Sequence, residues 1–377
     1  MAPARTRNSR ATALFLAAAL LAAVAGGAAE KLELPEGFSL WQESLSVRAG
    51  FGYNDNVTLS SFAPTGSAFA QVGGDFMLYR LPWNNWQFSF FANGSDARFL
   101  NEDTGVKTDQ QAMASAQLTW FLGKGWKSIS TAQYLYLNQV MDVSADYNVP
   151  TRQEVIAHGI TGTQGLRKDL GPYWVEADVS VSRYFVHEPL DDYWQGGPEL
   201  KLGRGYGHGS EVSVTYQAAP ISYDSREQAD TDGTPVPGTR LQFMQQTAGI
   251  AWQHYWDENR RWRSLTRFSY NFSEDNGSGY YNYSQYLASE QLRFRSANWE
   301  FSVQVALAYY DFPNQPAMTS GPPPRHRTDL RLTLRGERAL SRHWKIYAEY
   351  DYERSYSDDP LDQYEANVAS AGVEFAF

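Results

Sequence analysis

Apolar and polar residues alternate at every second position through most of this chain, and the alternation recurs to its last residue. In the clearest run, Trp299, Phe301, Val303, Val305, Leu307 and Tyr309 take the odd positions. Glu300, Ser302, Gln304, Ala306 and Ala308 take the even ones. Leu45, Val47, Ala49, Phe51 and Tyr53 alternate in the same way with Ser44, Ser46, Arg48 and Gly50. Trp262, Thr266, Phe268, Tyr270 and Phe272 alternate with Arg263, Arg267 and Asn271. A period of two sends successive side chains to opposite faces of a strand, and no strong helical period competes with it. The runs predict about 16 strands. They fall near 43–54, 67–80, 86–99, 107–121, 126–141, 151–168, 173–187, 192–203, 209–222, 239–256, 261–274, 280–296, 298–312, 325–339, 343–356 and 362–377. Most exceed the roughly 9–11 residues that a tilted strand needs to cross a bilayer.

Composition turns this pattern toward a membrane. The 377 residues include 12 Trp, 24 Tyr and 20 Phe, heavy for a water-soluble domain and suited to interfacial aromatic girdles. Mean hydropathy is negative, as it is for spanning strands that hide their lipid contact in alternation. After Ala29 no apolar run approaches the roughly 18 residues of a membrane helix. Before it, Arg5, Arg7 and Arg10 precede an apolar stretch from Ala11 to Ala25, and Gly26 to Ala29 are small. That reads as a secretory signal over 1–29, cleaved near Ala28 or Ala29. A short periplasmic segment over 30–42 and a barrel over 43–377 complete the expected organisation. With no cysteine, disulfide staples and a lipid anchor on that residue are excluded. A net charge of −10 argues against nucleic acid as a partner.

The connections are of two kinds. Short ones carry Trp: Pro82 to Trp86, Gly123 to Trp126, Gly171 to Trp174, Trp256 to Trp262, Ser296 to Trp299 and Ser341 to Trp344. Longer ones are rich in Pro, Asp, Ser and Gly: Asn54 to Gly66, Asp224 to Gly238 and Phe312 to Pro324. Bacterial barrels have short periplasmic turns and long outer loops, so the Trp turns fit the periplasmic belt. Eight outer loops and seven turns then put both termini on the periplasmic side. The expected fold is all-β, a single transmembrane antiparallel up-and-down barrel.

The run Gly372-Val373-Glu374-Phe375-Ala376-Phe377 places Val373, Phe375 and Phe377 on one face. It resembles the closing strand of Gram-negative outer-membrane β-barrels, and the resemblance to that broad class covers residues 43–377. It implies a cell outer membrane location, contact with outer-membrane lipid, and recognition of Val373, Phe375 and Phe377 by barrel insertion machinery. Gly52-Tyr53-Asn54-Asp55-Asn56-Val57 is similar to the opening hairpin of several porin-type families. Surface lipoprotein assembly modifiers and some exopolysaccharide exporters look similar there, and an export role would bring periplasmic partners. Assembly modifiers also carry an N-terminal helical repeat domain, whereas here only Glu30 to Trp41 precedes the first strand.

Catalytic and metal chemistry find little support. His158, His187, His208, His254, His326 and His343 are scattered without metal-ligand spacing, so no metal, cofactor or catalytic residue is expected. His208 and Ser210 lie in or beside a glycine-rich run, Gly203 to Gly209, that reads as a tight turn. No helix pattern follows it to build an anion site. Asp230-Thr231-Asp232-Gly233 offers oxygens at alternate positions but lacks the remainder of a calcium loop. The interior charges say more. Alternation points Arg263, Arg267, Arg293, Arg327, Arg331 and Arg335 inward on three of four consecutive strands. It points Asp75, Glu176, Asp178, Glu199 and Glu211 inward on earlier ones. Closure would set a basic wall across from an acidic one, a lumen that orients polar solutes. An inward Arg293 turns Glu290 toward lipid unless a bulge intervenes. Sixteen to eighteen strands leave room for an aqueous channel. The expected function is passage of polar solutes across the outer membrane, or alternatively an export or assembly component for polysaccharide or surface protein.

Overall fold

The structure, a computed structural model, describes residues 39–142, 152–187, 190–317 and 324–377. The expected signal segment and most of 30–42 lie outside these residues, as does part of the Phe312–Pro324 loop. The strands follow the sequence pattern closely. They are β1 (Trp41–Asn54), β2 (Ser67–Trp83), β3 (Trp86–Phe99), β4 (Thr108–Gly123), β5 (Trp126–Asp142) and β6 (Arg152–Leu170). Next come β7 (Tyr173–Val186), β8 (Tyr193–Tyr206) and β9 (Ser210–Tyr223). A short loop hairpin follows, β10 (Gln228–Ala229) and β11 (Pro235–Val236). The chain continues with β12 (Gln242–Tyr255), β13 (Trp262–Asp275), β14 (Tyr283–Arg295) and β15 (Trp299–Phe312). β16 (Arg325–Ala339), β17 (Trp344–Ser357) and β18 (Tyr364–Ala376) complete it.

Sixteen strands close into one antiparallel barrel in which β18 returns to β1 and β9 pairs with β12. Closure pairs the edges, which is the condition for spanning lipid with strands. Each long connection lies at one end. The seven short turns and both barrel termini lie at the other, as the connection lengths predict. Tight turns explain the short set: Asn84 and Asn85 at φ 51° and 63°, and Lys124 and Gly125 at φ 50° and 77°. Paired left-handed residues of this kind make the two-residue hairpin turn whose twist matches its strands.

Register settles which face each residue takes, because cross-strand partners share a face. Leu45, Val47 and Phe51 of β1 lie outside and pair with outward residues of β18 and β2. Phe301, Val303, Val305 and Leu307 of β15 lie outside, and all are well exposed on the outer surface. Trp41, Trp126, Trp262, Trp299 and Trp344 stand at the short-turn rim, exposed as a belt residue should be. Trp174 departs from that expectation. It pairs with Gly203 and lies on the inner face, only 9% exposed, because Tyr173 takes the outward phase. Its indole donates to Glu211 at 3.1 Å, and Arg167 stacks on its ring at 4.1 Å.

A bulge on the β13–β14 ladder is not present. The pairs Arg263↔Arg293, Thr266↔Glu290 and Tyr270↔Tyr286 keep one register throughout. The shifts that do occur sit next to tight turns, between Arg80 and Trp83 and between Phe121 and Gly123. Glu290 therefore faces outward, held by a hydrogen bond from the Thr266 hydroxyl.

The seam between β1 and β18 is locked at both ends. At the long-loop end, Asp55 accepts from the backbone N–H and the side-chain amide of Asn367 at 2.7 and 2.8 Å. Asn56 donates to the Glu365 carbonyl at 2.8 Å and to that of Ser60 at 2.9 Å. The Asn54-Asp55-Asn56 segment singled out in the sequence thus closes the barrel. At the other end the Phe377 N–H donates to the Leu45 carbonyl at 2.9 Å. Phe375 packs edge-on against Trp344 and Phe377, with ring centroids 4.9 and 4.8 Å away.

Candidate functional site: the barrel lumen

All eleven charged residues expected to point inward share the inner face. Asp75 pairs with Ser46 and binds Arg48 at 3.1 Å. On the wall formed by β6 to β9, the Lys201 ammonium lies 2.7 Å from Asp178, 2.9 Å from Glu199 and 3.5 Å from Glu176. Arg167 lies 3.6 Å from Glu176 and 3.0 Å from Asp169, which also binds Lys127 at 2.7 Å. The expected acidic wall is thus threaded with cations that alternation alone did not single out. Lys201, Arg167 and Lys127 all lie in the inward phase of their strands.

The basic wall is corrected more strongly. Arg335 is clamped by Glu337 at 2.8 Å and Glu349 at 2.6 Å. Arg331 binds Glu353 at 2.8 Å, and Arg327 binds Asp329 at 2.7 Å. Arg327, Arg331 and Arg335 of β16 therefore each carry a carboxylate partner, although the Arg331 side chain stays exposed. On the inward phase of β17, Glu349 and Glu353 lie directly across from Arg335 and Arg331, with Asp351 between them opposite Thr333. Ion pairs of this kind hold neighbouring strands in register and give the inner face a fine mosaic of both signs.

β13 and β14 differ from the rest. Arg263 sits directly opposite Arg293. Arg293 binds Glu300 at 2.5 Å, and Glu300 is shared with Arg295 at 3.6 Å. Arg263 donates to the Gln291 amide oxygen at 2.5 Å, and its Nε is buried without a partner. Arg267 is exposed and lies across from Ala251 and Ser289. Its guanidinium makes no ion pair or hydrogen bond among the described residues.

Toward the long-loop end an aromatic cluster narrows the lumen. Tyr193, Tyr223 and Phe243 occupy inward positions on β8, β9 and β12, with successive ring centroids 5.3 and 6.1 Å apart. Loop residues pack onto them: Leu241 is 0% exposed, Tyr280 1% and Tyr281 7%. Asp275 ties the 276–282 loop by accepting from the N–H groups of Gly277, Gly279 and Tyr281 at 2.8, 2.9 and 2.8 Å. Burial pushes the Tyr280 hydroxyl up to about 12. Below this cluster a cavity of about 160 Å³ is lined by Gln195, Gln245, Ser273 and Tyr283 beside the aromatic rings. The expected strands 239–256 and 280–296 included Leu241, Tyr280 and Tyr281, but β12 begins at Gln242 and β14 at Tyr283, so these three belong to the loops instead.

The motifs weighed for other chemistry are absorbed by structure. Asp230 and Asp232 accept from the N–H groups of Asp232 and Thr234 within the β10–β11 turn. The run Gly203 to Gly209 covers the end of β8 and one helical turn before β9, with His208 at φ 59°. Ser210 does not meet His208. It lies 3.3 Å from His254 at the short-turn rim and accepts the N–H of Tyr255. His254 is boxed by Tyr206, Trp252 and Trp256, an interfacial aromatic setting. Among the described residues, no three His, Cys, Asp or Glu side chains are grouped to hold a metal.

A closed antiparallel barrel with an apolar outer belt, one aromatic rim and a charged interior defines a class: the membrane-spanning β-barrel of the outer membrane. No family model matches the chain, and no curated protein matches it in sequence. Among solved structures it is similar to a BenF-like porin from Pseudomonas fluorescens Pf-5, with 8% identity over 89% of this chain and 99% of that one and a TM-score of 0.47. Acinetobacter baumannii OccAB1 is similar at 7% identity, covering 89% and 96%, with a TM-score of 0.47. A bacterial polysaccharide outer membrane secretin is similar at 10% identity, covering 88% and 98%, with a TM-score of 0.42.

Proposed function

We propose that this barrel is an outer-membrane channel that passes polar solutes. The observation that carries the reading is the inner face. It is polar and charged on both walls, and sixteen strands enclose it, a size at which barrels hold an aqueous path. Ion pairs keep the charges fixed in place, so a solute meets preset donors and acceptors. The aromatic cluster under the outer loops narrows one end of that path. Purified protein in a planar lipid bilayer should give discrete steps of ionic current. Absence of current at all voltages would sink the reading.

A second reading, a gated export or assembly component, is favoured by that same cluster. Its loops are anchored by buried aromatics, which suits a path opened by a periplasmic partner. Current that appears only after Tyr280 and Leu241 are truncated would select the gated reading over the open channel.

A further inference from the structure

We propose that Arg263, Arg267 and Arg293 form a lumenal binding site for small organic carboxylates. The inference rests on reading the lumen as a solute path, and it deepens that reading by naming a solute class. Elsewhere on the inner face each named arginine or lysine has a carboxylate within ion-pair distance. On β13 and β14 only Arg293 of the three meets a carboxylate, Glu300, which it shares with Arg295, and Arg263 and Arg267 form no ion pair among the described residues. Arg263 and Arg293 are direct cross-strand neighbours, an arrangement that like charges destabilise unless something neutralises them. Arg263 has only the neutral Gln291 amide as a side-chain acceptor, and its buried Nε–H has no acceptor at all.

The surroundings give such a ligand room and secondary contacts. Arg267 belongs to a row of small inward side chains: Ala251 on β12, Ser289 on β14 and Ala306 on β15. Gln291 lies on the adjacent strand between the two arginine rows, and it donates to Gln304 at 3.4 Å. Arg263 and Arg267 are four residues apart, roughly 13 Å along the strand. A molecule that places one carboxylate at Arg267 and offers hydroxyls or a second carboxylate toward Gln291, roughly 7 Å along, lies within reach of the long Arg263 side chain. The planar guanidinium fork favours carboxylate, which it can bind through two parallel N–H···O bonds. Citrate and galacturonate represent the two patterns; glucose, which has hydroxyls and no charge, is the control.

Calorimetry on the full chain in detergent tests the site without needing transport. Citrate or galacturonate should bind saturably and glucose should not. R267Q should weaken binding about tenfold or more, the effect of one lost charge-assisted contact. R267K, which keeps a charge and loses the fork, should fall between. E300Q should tighten binding several-fold by releasing Arg293. Folding of each variant is checked by its heat-dependent gel shift; Arg267 makes no ion pair or hydrogen bond among the described residues, so R267Q should fold normally. Equal affinity of wild type and R267Q, or no saturable binding, overturns the site. Binding abolished by R267Q in a protein that passes no current would leave the site standing and remove the channel. Current without carboxylate binding would do the reverse.

Discussion

Glu290 gives the sharpest test of the barrel's orientation in lipid. Its carboxylate is exposed on the outer face of β14, between Val305 of β15 and Thr266 of β13. Five residues separate it from Arg295, where β14 ends at the short-turn rim. At roughly 3.3 Å per residue and a tilt near 40°, that places it about 13 Å above the rim. The apolar band of such barrels is about 25 Å tall, so Glu290 stands near its middle. Arg or Lys there costs about 2–4 kcal/mol, and a carboxylic side chain costs less. The Thr266 hydroxyl returns about 1 kcal/mol through its hydrogen bond. E290L removes the penalty, forfeits that bond and adds an apolar side chain, for an expected gain of about 1–2 kcal/mol. Denaturant unfolding from phosphatidylcholine vesicles measures it. An E290L protein less stable than wild type would refute the placement. It would mean that the carboxylate meets a protein partner or water rather than acyl chains.

Truncation at the outer mouth should separate loop anchoring from barrel stability. Y280A removes a fully buried ring and is expected to release the 276–282 loop, raising its hydrogen exchange while the barrel strands stay protected. The same ring predicts an alkaline transition. The hydroxyl's value is raised by burial from 10.0 to about 12, so its contribution is complete below pH 10 and is lost as pH rises through about 12. Loop exchange should accelerate across that window in wild type and not in Y280F; an identical profile in both would exclude Tyr280 as the cause. At the opposite rim, F375A removes the ring between Trp344 and Phe377 and is expected to lower the amount of barrel assembled in outer membranes. Normal assembly would mean that this aromatic face is not read during insertion.

Period-two alternation made the barrel legible because one face meets lipid and the other does not, so a strand's phase is written in its own residues. That is why Arg263 and Glu199 could be placed inward before any register was known. Neutralisation was not legible in the same way. Whether Arg331 is a bare cation depends on which β17 residue lies across from it, and this is fixed by the length of the turn through Trp344 rather than by either strand alone. The register delivers Glu353 there and Glu349 to Arg335. Trp174 shows the same limit within a single turn, since its position beside Gly171 and Pro172 suggests the belt while its phase sends it inward.

The loops were illegible for a different reason. Leu241 and Tyr280 fall at the starts of the runs 239–256 and 280–296 that read as strands, yet β12 begins at Gln242 and β14 at Tyr283, and the burial of both residues depends on the aromatic residues that β8, β9 and β12 present toward them. Function follows the same division. The alternation specifies an enclosed polar surface, whereas in the proposed channel selectivity would reside in the exceptions to local neutrality that only the register exposes. Arg331 and Arg267 are indistinguishable as inward arginines in the sequence. In the fold both are exposed, but one is paired with Glu353 and the other lies among Ala251, Ser289 and Ala306 with no ion pair among the described residues, and that difference makes β13, rather than β16, the place where an anion would be held.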